Sequence, residues 1–276
     1  MIQVMEKILI QQLALDYNCS VAEVKCSENV FTLRKNLPGR RVFRSDDAIL
    51  KVCSFRDKLL ISADECLLDW CRETYQSERA AWFSLFPNLK KLDDKLRESG
   101  HTVADCHHFY LPEREKYLLR SVGRASSGSQ SGLVGQAVTQ AETASSKFRI
   151  VWYEEDELER FRGDKRFQNA LSTSTSLSPD MLAVTAEREG EILGMAGVSA
   201  DSEMMWQIGI DVTEAGRGLG IGTILTTLLK DEVIRRGKVP FYGTAETHMK
   251  SQRVAVRSGF VPTWAELYSK KIKKKR

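Results

Sequence analysis

The stretch from Trp206 to Gly222 constrains this 276-residue chain more than any other. Trp206-Gln207-Ile208-Gly209-Ile210-Asp211-Val212 reads as a buried strand, residues 213–216 as a short turn, and Arg217-Gly218-Leu219-Gly220-Ile221-Gly222 as a glycine-rich loop opening directly into a helix. Glycines at alternate positions let the backbone approach a ligand closely. The helix that follows adds unpaired N–H groups and the positive end of its dipole, so the loop can hold a diphosphate. Arg217 adds a permanent positive charge at its mouth.

Context narrows the kind of cradle. A dinucleotide-binding fold places its glycine loop after the first strand of a large βαβ array, with an acidic residue about 20 positions later. Here the loop begins at residue 217 of 276, which leaves room for one helix and two or three strands. A nucleotide-triphosphate loop ends in Gly-Lys-Ser/Thr, whereas Gly222 is followed by Thr223-Ile224. Arg217, Gly220 and Gly222 instead resemble, residue for residue, the Arg-x-x-Gly-x-Gly motif of the GNAT superfamily of acetyl-coenzyme-A-dependent acyltransferases.

A second motif lies downstream. The run His248-Met249-Lys250-Ser251-Gln252-Arg253-Val254-Ala255-Val256-Arg257-Ser258-Gly259-Phe260 is similar to the family's Asn-x-x-Ser-x-x-Val-Ala-x-x-x-Gly-Phe, with His248 in place of Asn. Its own pattern predicts a short helix with Val254 inward, stopped by Gly259. The resemblance covers residues 148–268. It implies acetyl-CoA as co-substrate, held by Arg217, Gly218, Leu219, Gly220, Ile221 and Gly222, by backbone groups of Ile210 and Val212, and by His248 and Ser251.

The flanking sequence predicts elements that suit an α/β fold with a mixed sheet. Residues 148–153 read as a strand, followed by an acidic helix start over 154–161. Residues 181–187 and 192–198 flank Arg188-Glu189-Gly190-Glu191 as an antiparallel hairpin. After the loop, Ile221, Ile224, Leu225, Leu228, Leu229 and Val233 recur at helical spacing, with Gly237 as the stop. Strands follow at 239–244 and 263–269.

The rest of the chain predicts a smaller α+β domain over 1–120. Residues 2–17 form an amphipathic helix, and Ser20-Val21-Ala22-Glu23 reads as a capping box. Residues 48–61 read as two strands joined near Arg56-Asp57; helices carry Leu67, Leu68 and Cys71, then Leu89, Leu92 and Leu96. A strand over 101–111 closes the domain. Residues 121–147, rich in Ser, Gly, Ala, Gln and Thr, read as a linker to the GNAT-like domain at 148–269.

Charge and cysteine usage limit the partners. Lys270, Lys271, Lys273, Lys274, Lys275 and Arg276 form a basic tail (270–276), and without those six charges the net charge of +4 becomes −2. That argues against a basic nucleic-acid face spread over the fold, though a tail can touch RNA or DNA weakly. All six cysteines lie before residue 107 with no zinc spacing, which reads as reduced thiols, no metal site and a cytoplasmic protein. No stretch reaches the length of a membrane span.

The resemblance implies direct acetyl transfer to a primary amine, a small molecule or a peptide. A lysine-like amine is neutral only about one part in a thousand near pH 7.5, so the site must take its proton. Glu203 and Glu246 are candidate bases, an exposed loop carboxylate being the competing reading of each. The family's acid is a tyrosine at the position of Ala255, which leaves Tyr242, Tyr268, His248 or solvent to protonate the leaving thiolate. A non-catalytic acyl-CoA-binding regulatory module is the alternative that this missing tyrosine suggests. Acceptor choice falls to 155–171 and the loops, where no residue code is readable.

Overall fold

A computed structural model describes residues 2–42, 47–113, 148–171 and 178–273; the 121–147 linker and the last three residues of the tail lie outside the described residues. The described chain divides into two compact units. Unit 1 comprises Met1–Phe109, Thr244–His248 and Pro262–Arg276; unit 2 comprises Tyr110–Gly243 and Met249–Val261.

Unit 1 begins with helices α1 (Ile2–Asp16) and α2 (Val21–Lys25). The expected capping box is present: Ser20 Oγ accepts from Glu23 N–H at 3.1 Å, and the Glu23 carboxylate accepts from Ser20 N–H at 2.7 Å. The Ser20 N–H and hydroxyl, both donating to it, pull the Glu23 carboxyl below its usual range. Strand β1 (Val30–Leu33) pairs parallel with β3 (Lys58–Ala63), and β3 pairs antiparallel with β2 (Leu50–Phe55) through the Arg56-Asp57 turn, both at positive φ. Helices α3 (Glu65–Tyr75), α4 (Ala80–Phe83) and α5 (Phe86–Glu98) follow, then β4 (His101–Pro112), whose first nine residues belong here. Leu67, Cys71, Leu92 and Leu96 pack on Val52, Leu59 and Ile61 as its core.

One buried cation organises the opposite side of unit 1. Arg41, 8% exposed, bonds Asp16 at 2.6 Å and Glu266 at 2.5 Å. Its guanidinium lies 5.3 Å from the Trp264 ring, which stacks on Phe109 at 5.0 Å. The six cysteines are free thiols, and burial pushes Cys71 up to about 12 and Cys19 up to about 11.

Unit 2 is a mixed sheet with strand order β9-β8-β7-β6-β5. Its strands are β5 (Arg149–Glu154), β6 (Asp180–Arg188), β7 (Glu191–Ala200), β8 (Met205–Val212) and β9 (Val239–Ala245, of which the last two residues group with unit 1). β5 to β8 are antiparallel neighbours, while β9 lies parallel to β8. The expected hairpin turns at Glu189 and Gly190, both at positive φ.

Two helices cover one face. In α6 (Ile221–Arg235), Ile221, Leu225, Leu229 and Val233 meet Leu182, Val184, Ala196 and Ile208. Helix α7 (Met249–Arg257) turns Ala255 fully inward and leaves Val254 half-buried against Gly222, so Ala255, one position beyond the expected Val254, is the core residue. Lys230 of α6, 5% exposed, donates to Ser258 C=O at 2.7 Å and ties α6 to the end of α7. Gly237, at φ +77°, ends α6 as its spacing predicts. The final strand, β10 (Phe260–Lys271), is longer than the expected 263–269; its residues from Pro262 onward belong to unit 1, where Ala265 to Tyr268 pair with β2.

The other face is covered by short segments. Residues Glu155–Phe161, expected as an acidic helix, form a 3₁₀ helix, and Lys165–Phe167 a second. Leu158 and Phe161 stand three apart, which suits the three-residue turn of a 3₁₀ helix, and Gly163 at positive φ prevents its extension. Leu158, Phe167, Ala170 and Leu171 pack there against Tyr153, Ala183 and Met195.

Candidate active site

The site of unit 2 begins where β8 and β9 part. Their parallel pairing runs from Met205–Val239 to Ile208–Tyr242, while β8 stays paired with β7 as far as Val212. Beyond Ile208, the edge of β8 that faces β9 has no pairing with it. Ile210 and Val212, half-buried, carry backbone groups on this open stretch, which can take an extended ligand in place of a strand.

The glycine loop stands at the same end of β8. Thr213 fixes its start: the backbone N–H and Oγ1 both donate to Leu193 C=O at 2.9 Å. A 3₁₀ turn, Glu214–Gly216, presses Gly216 so close to β7 that a Cβ there would lie 2.2 Å from Leu193 O. Gly218 and Gly220 then take φ of +78° and +76°, and a Cβ on either would meet no protein atom within 4 Å. Gly220 is the N-cap of α6; the first intrahelical bond runs from Ile224 N–H to Gly220 C=O, so the N–H groups of Ile221, Gly222 and Thr223 lie outside the helix ladder. Arg217 is exposed, Leu219 half-buried. Open space beside left-handed glycines, free N–H groups and the helix dipole together fit a diphosphate.

Tyr242 lies on β9 at the row where the strands part. It is fully buried, edge-on to Tyr110 and tilted against Phe260, with its Oη 2.9 Å from Ser251 Oγ of α7. Burial pushes its phenol up to about 12 against the opposing pull of the Ser251 bond. The phenol is therefore neutral at physiological pH and can donate a proton or a hydrogen bond. Ala255, where the family's tyrosine would stand, is buried in the same core cluster and offers no proton.

Of the other expected residues, Glu203 belongs to unit 2 and Glu246, His248 and Tyr268 to unit 1. Glu203 is exposed in the bend before β8, and its carbonyl accepts from Lys238 Nζ at 2.9 Å. β8 is eight residues long, so Glu203 stands about 25 Å along the strand from the glycine loop. Glu246 and His248 are exposed in the turn after β9, in the segment that groups with unit 1. Tyr268, also in unit 1, donates to Asp105 at 3.2 Å.

Residues that sequence reading passed over build the opposite face. Asp211 of β8 accepts from Asn169 N–H at 2.7 Å, Ala170 N–H at 2.9 Å and Asn169 Nδ2 at 2.6 Å. Gly197 and Gly209 are register partners on β7 and β8, and a Cβ on them would stand 2.0 Å from Ala170 O and 1.7 Å from Asn169 O. The segment over 165–171 thus lies directly on the sheet beside the parting strands. A charged residue inside an apolar strand was the available signal; nothing local linked it to Asn169.

These features define an α/β protein with a glycine loop at the mouth of a split between parallel strands. Residues 141–260 match the model of the Acetyltransferase (GNAT) family. No curated protein matches the chain. Among solved structures, a GCN5-related N-acetyltransferase-like protein from Streptococcus suis 89/1591 is similar over 81% of this chain and 84% of its own, at 14% identity and a TM-score of 0.46. An acetyltransferase of the GNAT family from Colwellia psychrerythraea is similar over 84% of each chain, at 11% identity and 0.38. The putative acetyltransferase yncA from Salmonella typhimurium, solved with its cofactor acetyl-CoA, is similar over 46% of this chain and 95% of its own, at 15% identity and 0.33. Likenesses this low carry no argument about substrate.

Proposed function

We propose that this protein is an acetyl-CoA-dependent N-acetyltransferase that transfers directly to a primary amine in a ternary complex. The observation that carries the reading is the pair of left-handed glycines, Gly218 and Gly220, opening onto free space at the mouth of the β8–β9 split. Acetyl-CoA supplies an activated thioester and a diphosphate handle. The N–H groups around Gly220–Thr223 hold that handle, with Arg217 adding charge, and the free edge of β8 at Ile210 and Val212 aligns the arm behind it. Ser251 positions the neutral Tyr242 hydroxyl, which protonates the departing sulfur in place of the tyrosine replaced by Ala255. Ordered water would receive the proton of the attacking amine.

Calorimetric titration of the full chain with acetyl-CoA and coenzyme A tests this reading. Micromolar binding of both, abolished in Gly220→Glu, is expected; equal affinity in that variant would remove the cradle from the site. The buried Ala255 favours a second reading, an acyl-CoA-binding regulatory module without turnover. Thiol release over an amine panel separates the two, since turnover rules the module out.

A further inference from the structure

β5 is the outer strand of the unit 2 sheet, paired with β6 on one side and, among the described residues, with no strand on the other. Thr185 Oγ1 donates to the Val151 C=O at 3.4 Å, so Val151 turns its backbone groups toward β6. Backbone groups alternate in direction along an antiparallel strand, so Ile150, Trp152 and Glu154 turn theirs to the outer edge. Glu154 is already committed there: its N–H donates to the Glu157 carboxylate at 3.0 Å, and as N-cap its C=O opens the 3₁₀ helix. The N–H and C=O of Ile150 and of Trp152 are left without a partner among the described residues.

Natural sheets blunt such edges with charge, proline or a bulge. The run Ile150-Val151-Trp152-Tyr153 carries no charge and no proline, and β5 holds an unbroken register with β6 over all its residues. Trp152 is 38% exposed and stands on the same face as the half-buried Ile150. An edge with open backbone groups and an exposed aromatic side chain is a template for another strand.

We propose that this edge is a homodimer interface, in which β5 of two copies pairs antiparallel about a twofold axis at Val151. Two symmetric registers bring open groups face to face, and they are not equal. With the axis at Trp152, Ile150 faces Glu154 of the second copy, whose backbone groups are spent, so only the two Trp152 residues bond each other. With the axis at Val151, Ile150 faces Trp152 of the second copy at both ends, and every open N–H and C=O of the two residues finds a partner. The same register makes two aromatic–β-branched cross-strand pairs, Ile150 with Trp152, on the exposed side of each. Arg149 and Glu154 flank the paired run and keep their partners Glu187 and Arg236. A strand that complements itself in this way closes as a dimer. The inference rests on the β5 edge alone and is independent of the transferase reading.

Sedimentation equilibrium of the full chain tests it, with a reversible, concentration-dependent rise toward twice the mass of one chain expected. Trp152→Lys blunts the edge with a charge, and Trp152→Pro removes the outward N–H while sparing the bonds to β6. Each should weaken the dimer about tenfold or more with the far-ultraviolet circular dichroism unchanged. Disulfide trapping reads the register. At the axis, the Cα atoms of a pair that is not hydrogen-bonded stand about 4.5 Å apart, within disulfide reach, so Val151→Cys should cross-link two chains beyond the wild-type background. Trp152→Cys, two residues out of step with its own copy, should not. A wild-type monomer at every concentration, a dimer that both Trp152 substitutions leave intact, or trapping through Trp152→Cys in place of Val151→Cys overturns the proposal. A monomer whose Ile150 and Trp152 amides resist hydrogen exchange overturns it too, and places another segment of the same chain on this edge.

Discussion

The carboxylate of Asp211 accepts hydrogen bonds from both the backbone N–H and the side-chain Nδ2 of Asn169, at 2.7 and 2.6 Å. A strand at the edge of the split is thereby coupled to the segment lying across the opposite face of the sheet. Asp211→Ala removes the acceptor and leaves the two backbone N–H groups without it. Charge-assisted bonds of this kind contribute about 1.5–3 kcal/mol. The expected outcome is a KM for the amine raised at least tenfold with coenzyme A affinity within twofold of wild type, read by steady-state kinetics and calorimetry. A change confined to coenzyme A binding would contradict this coupling.

Gly209 tests the same contact from the other side. A methyl at this position would stand 1.7 Å from Asn169 O, so Gly209→Ala must push the segment off the sheet. Overpacking of this kind costs about 1–3 kcal/mol. A lowered urea midpoint together with loss of amine turnover is expected; unchanged values for both would show that the segment repacks freely.

Gly220 behaves differently, because its Cβ would meet no protein atom. Gly220→Ala carries the left-handed backbone penalty of about 1–2 kcal/mol and places a methyl at the loop's open side. Coenzyme A affinity should fall at least tenfold, in calorimetry, beyond what the small stability loss explains.

The Tyr242 hydroxyl and its Ser251 partner predict a kinetic split. Tyr242→Phe keeps the ring packing but deletes the proton donor, so kcat should fall 10- to 100-fold while coenzyme A affinity holds. Its pH behaviour has a defined sign. The folded phenol sits near 12, above an unfolded value of about 10. The associated stability is complete below about pH 10 and is lost as pH rises through 12. Urea midpoints measured over that window should fall less steeply in Tyr242→Phe than in wild type.

Arg41 is the corresponding test in unit 1. Arg41→Met leaves Asp16 and Glu266 buried without their cation and removes the guanidinium from the Phe109–Trp264 stack. Breaking one partner of a buried ion pair costs about 3–5 kcal/mol. A correspondingly lowered unfolding free energy, by urea denaturation, is the expected result; a neutral outcome would mean that the cluster relaxes or hydrates.

The sequence by itself determined the elements whose cause is local. Ser20 and Glu23 cap α2 because three residues suffice to place both bonds, and the apolar period from Ile221 to Val233 fixed the buried face of α6. The glycines at 218 and 220 announced a left-handed loop before a helix, since few other residues adopt that backbone without strain. Tertiary structure decided what depends on register and face. Gly197 and Gly209 are twelve residues apart and become one flat landing only when β7 and β8 pair. Asp211 meets Asn169 across 42 positions, and Glu154 reaches the row of Ile208 through three successive strand pairings. A one-residue slip in any of these ladders would turn the same side chains to the opposite face, so no reading of neighbours along the chain could have placed them.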